Sequence, residues 1–276
     1  MDIDITSSVE MVNHVQVVRM DHVRRLARDY DLSTKAVELY LLDKGISPYR
    51  YDGNTRTIGA DGQARLLRST VTIIGCGGLG GAITEICART GIGRIRLIDG
   101  DRFEESNLNR QLLCTEDLIG QSKAECAKDR VNRINSSIEA EAFHLVMTPE
   151  NVVDLIRDAD CVIDALDNVP SRFVLLDACR KQGVPLVHGA IGNMDVQVTS
   201  IFPGDDSFDQ LYGREQQLSD QTPLGNPAVS VFLCAALEVS EAIKVILGIG
   251  EPLRNRLLRF DLLQDELLIL PIWFKV

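Results

Sequence analysis

The chain has 276 residues, 45% of them hydrophobic and 25% charged, with a formal net charge of −11 at pH 7. That size suits one large α/β domain, or a domain with a small appendage, and leaves ample apolar material for a core. No apolar run approaches the ~20 residues of a spanning helix, so no membrane association is expected. The acidic start, MDIDITSSVEM, lacks the basic end and apolar stretch of a signal peptide. An acidic balance also argues against strong non-specific nucleic-acid binding, which needs Lys and Arg on phosphates, although a local basic patch stays open. The seven cysteines (Cys76, Cys87, Cys114, Cys126, Cys161, Cys179 and Cys234) are widely spaced and never form C-x-x-C. They predict neither a disulfide framework nor a cysteine-built zinc site, and fit a cytosolic enzyme or binding protein.

Met20–Asp29 and Thr34–Asp43 carry helical apolar spacing, with Ser33 placed as a cap and Gly45 as a stop. The pair reads either as a helix-turn-helix or as a helical hairpin packed on the rest. Its charges nearly cancel, which favours the hairpin, because DNA recognition wants a basic face. The stretch 48–62 reads as a turn-rich connector. From Val71 onward, short apolar runs alternate with helical segments, the pattern of a parallel sheet with crossover helices. Strands are predicted at Val71–Ile74, Arg94–Ile98, Cys161–Ala165, Pro185–His188 and Asp195–Phe202, and helices at Leu79–Thr90, Gln121–Asn135 and Ala228–Leu247. A hairpin of Arg256–Asp261 with Glu266–Leu270 closes the chain. Residues 204–226 are polar and aperiodic, and a loop of that length is usually functional or mobile.

The strongest motif is VTIIGCGGLGG, in which Gly75, Gly77 and Gly80 form G-x-G-x-x-G between a strand and a helix. Such glycines allow a tight turn and let phosphates approach free N–H groups at the helix start. Asp99 ends the next strand, where an acid can hold ribose hydroxyls. These features indicate a nucleotide without saying which one, and a nicotinamide dehydrogenase fits them equally well. Arg110, in SNLNRQ (106–111), and Lys123, in GQSKAE, favour ATP. Attack on the α-phosphate needs fixed cations as pyrophosphate leaves, whereas a dehydrogenase has no evident use for them. VIDALDN sets Asp164 and Asp167 near the end of a buried strand, where a carboxylate can hold Mg²⁺ against phosphate oxygens.

From about Tyr51 to the C-terminus the sequence resembles the E1-like enzymes that include MoeB, ThiF and HesA. The resemblance rests on IGADGQARLLRSTVTIIG, the glycine turn, SNLNRQ, GQSKAE, RIN, ALDN, PLVHGAIGNMDVQVTSIFPG and EAIKVILGIGEPL. It implies a Rossmann-like, doubly wound, mostly parallel sheet over 49–276, with 1–48 a small helical N-terminal extension. It further implies a homodimer that uses ATP and Mg²⁺ to adenylate the C-terminal Gly-Gly carboxylate of a small ubiquitin-like sulfur carrier. By motif, Gly78 would lie on the nucleotide, Asp99 on the ribose, and Asn107 and Arg110 on phosphates. Lys123 would stabilise the transferring phosphate and Asp167 would hold Mg²⁺. Ser106, Gln111 and Asn168, within the same motifs, complete the expected nucleotide set.

This chain departs from that pattern in three ways. The family's two C-x-x-C pairs are absent, so no structural zinc is expected. The loop 204–226 contains no cysteine, so the reaction should stop at the acyl adenylate, with a separate sulfur donor. The family's RYSRN-like segment, which supplies an arginine to the partner subunit's ATP, here reads RYDGN with Gly53 in the arginine's place. Arg56, or second Arg50, is expected to replace it. Cys76 and Cys114 lie near the proposed site without an evident basic neighbour, and so are not expected to be nucleophiles. The other cysteines read as small core residues, and His188 as a satisfied structural histidine. The expected function is carrier adenylation for molybdopterin, tungstopterin or thiamine sulfur supply. Rival readings are another carboxylate (a peptide or a modified tRNA), a nicotinamide oxidoreductase, and a nucleotide sensor whose N-terminal segment binds DNA.

Overall fold

A computed structural model of the protein describes residues 3–214 and 225–272. Two short strands, β1 (Val9–Val12) and β2 (Val15–Val18), open the described chain as an antiparallel pair. Asn13 and His14 turn between them at φ 48° and 67°, the left-handed region that two-residue hairpins use. Helix α1 (Met20–Asp29) buries Val23, Leu26 and Ala27. Helix α2 (Thr34–Asp43) starts where the Ser33 hydroxyl accepts the Ala36 N–H at 3.1 Å. It ends before Gly45, at φ 74°. Strand β3 (Ser47–Pro48) then lies parallel to β2. Both helices stand at their expected bounds, but the segment is not purely helical. Strands of four residues or fewer leave too little alternation in the sequence to be read.

Val18, Val23, Leu26, Val37 and Leu41 give this segment a small core of its own. The start of α2 faces the remainder of the molecule: Lys35 donates to Gly93 O and pairs with Glu139, each at 2.9 Å. The first residues of the second helix, those a helix-turn-helix would place on base edges, are therefore spent on packing, as in the hairpin reading.

The expected connector is a correction. Residues 49–51 form a single 3₁₀ turn, and helix α3 (Asp52–Arg68) follows directly. Gly59, at φ 72° and ψ 170°, breaks α3 into two pieces, in a conformation that costs glycine nothing. Burial of Gln63, Ala64, Leu66 and Leu67 outweighs the poor helix propensity of the glycines nearby.

The main domain alternates strand and helix. In chain order come β4 (Thr70–Ile74), α4 (Gly78–Thr90), β5 (Arg94–Ile98), α5 (Lys123–Ile134) and β6 (Glu139–Phe143). Then follow α6 (Val152–Leu155), β7 (Cys161–Asp164), α7 (Val169–Gln182), β8 (Leu186–Gly192) and β9 (Asp195–Ile201). Last are α8 (Ser207–Tyr212), α9 (Ala228–Leu247), β10 (Arg256–Asp261) and β11 (Glu266–Pro271). The sheet runs β6-β5-β4-β7-β8-β9-β10-β11, parallel from β6 to β8 and antiparallel beyond. Strand β6 (EAEAF) was not expected. Its small and charged residues suit a half-exposed edge and show no apolar run.

One core cluster joins the sheet to α4, α5 and α9, and a second joins its other face to α6, α7 and Phe208 of α8. Helices thus cover both faces. The chain leaves β4 toward β5 on one side, while β7 pairs on the other, so a crevice opens beyond the carboxyl ends of β4 and β7. The expected loop 204–226 contains α8, and its part 215–224 lies outside the described residues. Among the described residues no helix is long and apolar enough to cross a membrane.

Candidate functional site

A cavity of about 470 Å³ occupies that crevice. Of the residues singled out in the sequence, Gly75, Gly77, Gly78, Asp99, Arg110, Gln111, Lys123, Asp167 and Asn168 line it. Gly77 stands at the start of α4 with no side-chain cap, so the first N–H groups of this 13-residue helix are left for a ligand. The glycines divide the work. A Cβ on Gly80 would sit 1.7 Å from Gly75 O, so Gly80 lets α4 approach β4 and is not part of the cavity wall. A Cβ on Gly75, at φ 98°, would meet Ala165 O at 2.5 Å. A Cβ on Gly77 or Gly78 would make only ordinary contacts, with Gln111 at 3.4 Å and Val231 at 3.5 Å, and both glycines line the cavity.

Asp99 accepts the N–H groups of Cys76 and Asp101, each at 2.7 Å. Burial pushes its carboxyl above the usual range, while those bonds and the nearby Lys123 pull it back. A carboxylate has about four acceptor sites, so capacity remains for hydroxyls. Lys123 Nζ lies 3.0 Å from Asp101 Oδ2. Arg110 Nη1 donates to Ser106 O and Asn109 Oδ1, each at 2.8 Å. Gln111 is buried, and its Oε1 has no hydrogen-bond partner among the described residues, a free acceptor at the glycine turn. On the opposite wall Asp167 is exposed, and its one hydrogen bond among the described residues comes from Asn168 Nδ2 at 3.1 Å. Asn168 Oδ1 in turn caps α7 by accepting the Ser171 N–H at 2.9 Å.

Four further expected ligands, Ser106, Asn107, Arg56 and Arg50, stand outside the cavity lining. Asn107 is buried, accepts the Glu104 N–H at 3.1 Å and reaches Ser106 Oγ at 3.3 Å, so this pair shapes the loop that presents Arg110. Arg56 lies on α3 paired with Asp52 at 2.9 Å, its side chain 43% exposed. Arg50 is taken up by buried Glu38 at 3.3 Å and by Asn135.

Asp164 is a correction as well. It is fully buried, does not line the cavity, and binds His188 Nδ1 at 2.7 Å and the Leu166 N–H at 2.9 Å. His188 is satisfied, with Nε2 2.8 Å from the Tyr212 hydroxyl. Cys76 and Cys114 are buried, and burial pushes both thiols up, away from the thiolate form. The sequence reading missed Arg172, which also lines the cavity. The available signal was its spacing, one helical turn after Asn168. Among the described residues no group of three or more His, Cys, Asp or Glu stands close enough to hold a metal.

A helix start facing a cavity, with an acid at the end of β5 and cations beside it, is nucleotide-binding geometry that several families share. The ThiF family matches residues 51–272, most of the chain and all of this site. The chain belongs to that family. It is 36% identical to the sulfur carrier protein adenylyltransferase of Thermus thermophilus, covering 75% of this chain and 80% of that protein. It is 35% identical to the SAMP-activating enzyme E1 of Haloferax volcanii, covering 74% and 77%. It is also 35% identical to the adenylyltransferase and sulfurtransferase MOCS3-1 of Zea mays, covering 81% of this chain but 49% of that one, about half its length. Among solved structures, E. coli MccB with ATP superposes at a TM-score of 0.72, with 26% identity over 81% of this chain and 71% of that one. This ThiF-family member is thus an E1-like adenylyltransferase by relationship, on a mixed α/β fold with a mostly parallel sheet.

Proposed function

We propose that this chain binds ATP in the crevice and adenylates the C-terminal glycine carboxylate of a small ubiquitin-like sulfur carrier of the MoaD or ThiS kind. The observation that carries this reading is the arrangement of one cavity. The uncapped start of α4 at Gly77–Gly78 lies at its floor, Arg110 and Lys123 on one wall and Asp167 on the other. The relatives named as a sulfur carrier protein adenylyltransferase and a SAMP-activating enzyme supply the substrate class.

In this reading a carrier carboxylate oxygen attacks the α-phosphorus, and the bond to the bridging oxygen of pyrophosphate breaks. Pyrophosphate departs with the electron pair. No general base is needed, because a glycine carboxylate is ionised at neutral pH. The backbone N–H groups at α4 hold phosphate oxygens, and Asp99 with its spare acceptor sites takes the ribose hydroxyls. Arg110 and Lys123 offset the charge that grows on the leaving group. Asp167 suits Mg²⁺ carried in with the triphosphate: a single exposed carboxylate with one weak partner matches a metal that keeps several waters and binds mainly to phosphate. That metal would neutralise phosphate charge. The buried thiols support a reaction that ends at the acyl adenylate, with sulfur delivered by a separate donor. Two copies of the chain are proposed to form a homodimer in which Arg56 reaches the partner's triphosphate.

ATP–pyrophosphate exchange with a panel of carriers ending in Gly-Gly tests the reading. Exchange should appear with a subset of them and with Mg²⁺ present; none with any carrier would overturn it. A second reading, adenylation of another peptide's C-terminus, is favoured by the likeness to MccB solved with MccA, at a TM-score of 0.70 and 25% identity. A peptide arm in the same panel separates the two.

A further inference from the structure

Asp164, His188, Tyr212 and Arg172 close a buried polar ring behind the cavity wall, three of its links hydrogen bonds and the fourth an ion pair. The carboxylate of Asp164 is held below its usual range. Burial opposes ionisation there, but the Arg172 guanidinium and the His188 hydrogen bond outweigh it. As an ionised group it can only accept, so the His188 hydrogen lies on Nδ1 and Nε2 is left as an acceptor. The Tyr212 hydroxyl donates to that Nε2 at 2.8 Å and accepts from Arg172 Nη1 at 3.3 Å. Arg172 Nε lies 3.5 Å from Asp164 Oδ2, an ion pair without a hydrogen bond, and this contact brings the ring back to its start. Asp164 and His188 are 0% exposed, and Arg172 8%.

Two arms of this ring end on the backbone of one residue, Leu166, one on each of the peptide units that flank it. Asp164 Oδ1 accepts the N–H of Leu166 at 2.9 Å, and Arg172 Nη2 donates to the C=O of Leu166 at 2.6 Å. Leu166 is followed by Asp167 and Asn168, and all three line the cavity. Only four residues separate β7 from α7, so a shift of the Leu166 backbone carries the Asp167 carboxylate with it.

Tyr212 enters from a different part of the chain. It ends α8, which is fastened to the sheet and to α7 by three charge pairs: Arg254 with Asp205 at 2.7 Å, Arg180 with Asp209, and Arg214 with Asp177 at 2.5 Å. Its ring packs on Phe208 and against His188 at 4.8 and 5.4 Å between centroids. Aromatic packing and charge pairs already hold α8 in place. The hydroxyl adds two hydrogen bonds, to His188 of β8 and Arg172 of α7.

We propose that Tyr212 is a positioning residue for the nucleotide site: its hydroxyl fixes Arg172 and His188, and through them the Leu166 backbone and the Asp167 wall. The inference rests on the functional reading above, in which Asp167 faces the metal-bound triphosphate. A buried polar atom left unpaired is costly, so removing the hydroxyl leaves His188 Nε2 without a donor and takes from Arg172 one of the contacts that hold it.

Titration calorimetry with ATP, with and without Mg²⁺, on the full chain is the test. Tyr212→Phe keeps the aromatic packing and deletes only the hydroxyl. It should weaken ATP binding about tenfold with Mg²⁺ present and much less without it, as expected for one lost charge-assisted contact. His188→Asn breaks the ring at another member and should give a similar loss. The double variant should be no weaker than the worse single one, since both act through the backbone of Leu166. Unchanged affinity in both single variants, with wild type binding normally, overturns the inference and leaves the functional reading intact. Fully additive losses overturn it too. A wild type that binds no ATP sinks the functional reading, and the inference with it.

Discussion

Lys123 and Asp101 form an ion pair of 3.0 Å at the edge of the cavity, with the lysine side chain 9% exposed and the aspartate 71%. The pair therefore has one buried and one wet end. The wet carboxylate loses little when it is released, since an exposed partner contributes on the order of 1 kcal/mol or less. The buried ammonium is held at the wall, ready to exchange that carboxylate for a phosphate oxygen.

On this basis Lys123→Ala should lower ATP–pyrophosphate exchange by about 10²–10³-fold, the usual cost of one preorganised donor to a developing anion. Arg110→Ala should do the same. Initial rates at saturating ATP measure both. Near-normal exchange in the two variants would show that the cations are not at the reacting phosphate.

Asp167→Asn should reduce exchange and recover part of it at high Mg²⁺, because the amide keeps the shape of the side chain and loses its charge. A Mg²⁺ titration of wild type and variant reads this directly. A wild-type rate indifferent to Mg²⁺ would remove the metal role from Asp167.

Glu238 on α9 is fully buried, and its Oε1 has no hydrogen-bond partner among the described residues. Burial first, then the charge of Asp164, pushes its carboxyl well above the ordinary value, against the pull of Arg172. A folded-state pKa above the unfolded one means that unfolding releases a proton. Stability from this group is thus full below the ordinary glutamate pKa of about 4.3, and is lost as pH rises toward the raised value. Glu238→Gln removes that loss, so its melting temperature should gain on wild type between about pH 5 and about pH 7. His188, whose pKa burial depresses, titrates alike in both proteins and cancels from the difference. A difference that stays flat with pH would mean Glu238 is ionised in the fold.

Arg56 lies on α3, paired only with Asp52 among the described residues and 43% exposed, so its guanidinium is available to a second subunit. If it completes the partner's site, mixing inactive Arg110→Ala with inactive Arg56→Ala subunits should regenerate one intact site per heterodimer and restore part of the exchange. No recovery, with heterodimers demonstrated by mass, would place Arg56 in cis or outside the reaction.

Much of the site was legible because its parts are local. The glycine turn, Asp99, Lys123 and Asp167 each sit beside a strand end or a helix start, with Arg110 in the connection from β5 to α5, and in a parallel sheet the carboxyl ends of neighbouring strands meet at one crevice. Hydrophobic periodicity likewise placed α1, α2, α9, β5 and β10 at their observed bounds, since those elements bury a regular face. The motif could not say that Gly80 packs while Gly78 lines the cavity, because that depends on which backbone oxygen stands opposite each Cα. The α3 helix was hidden for a related reason: glycine-rich propensity is a local signal, and burial of Leu66 and Leu67 against the rest of the domain overrode it.

The sequence by itself determined the strand–helix alternation, the nucleotide turn and the pair of cations, because each is written within a few consecutive residues. Only the tertiary structure decided that Asp164 is not a ligand but the base of a buried ring with His188, Arg172 and Tyr212. Those four residues come from β7, β8, α7 and α8, and no spacing rule links them. They meet because the sheet aligns β7 beside β8 while α7 and α8 pack on the same face, and a buried carboxylate takes whatever donors that packing brings within reach.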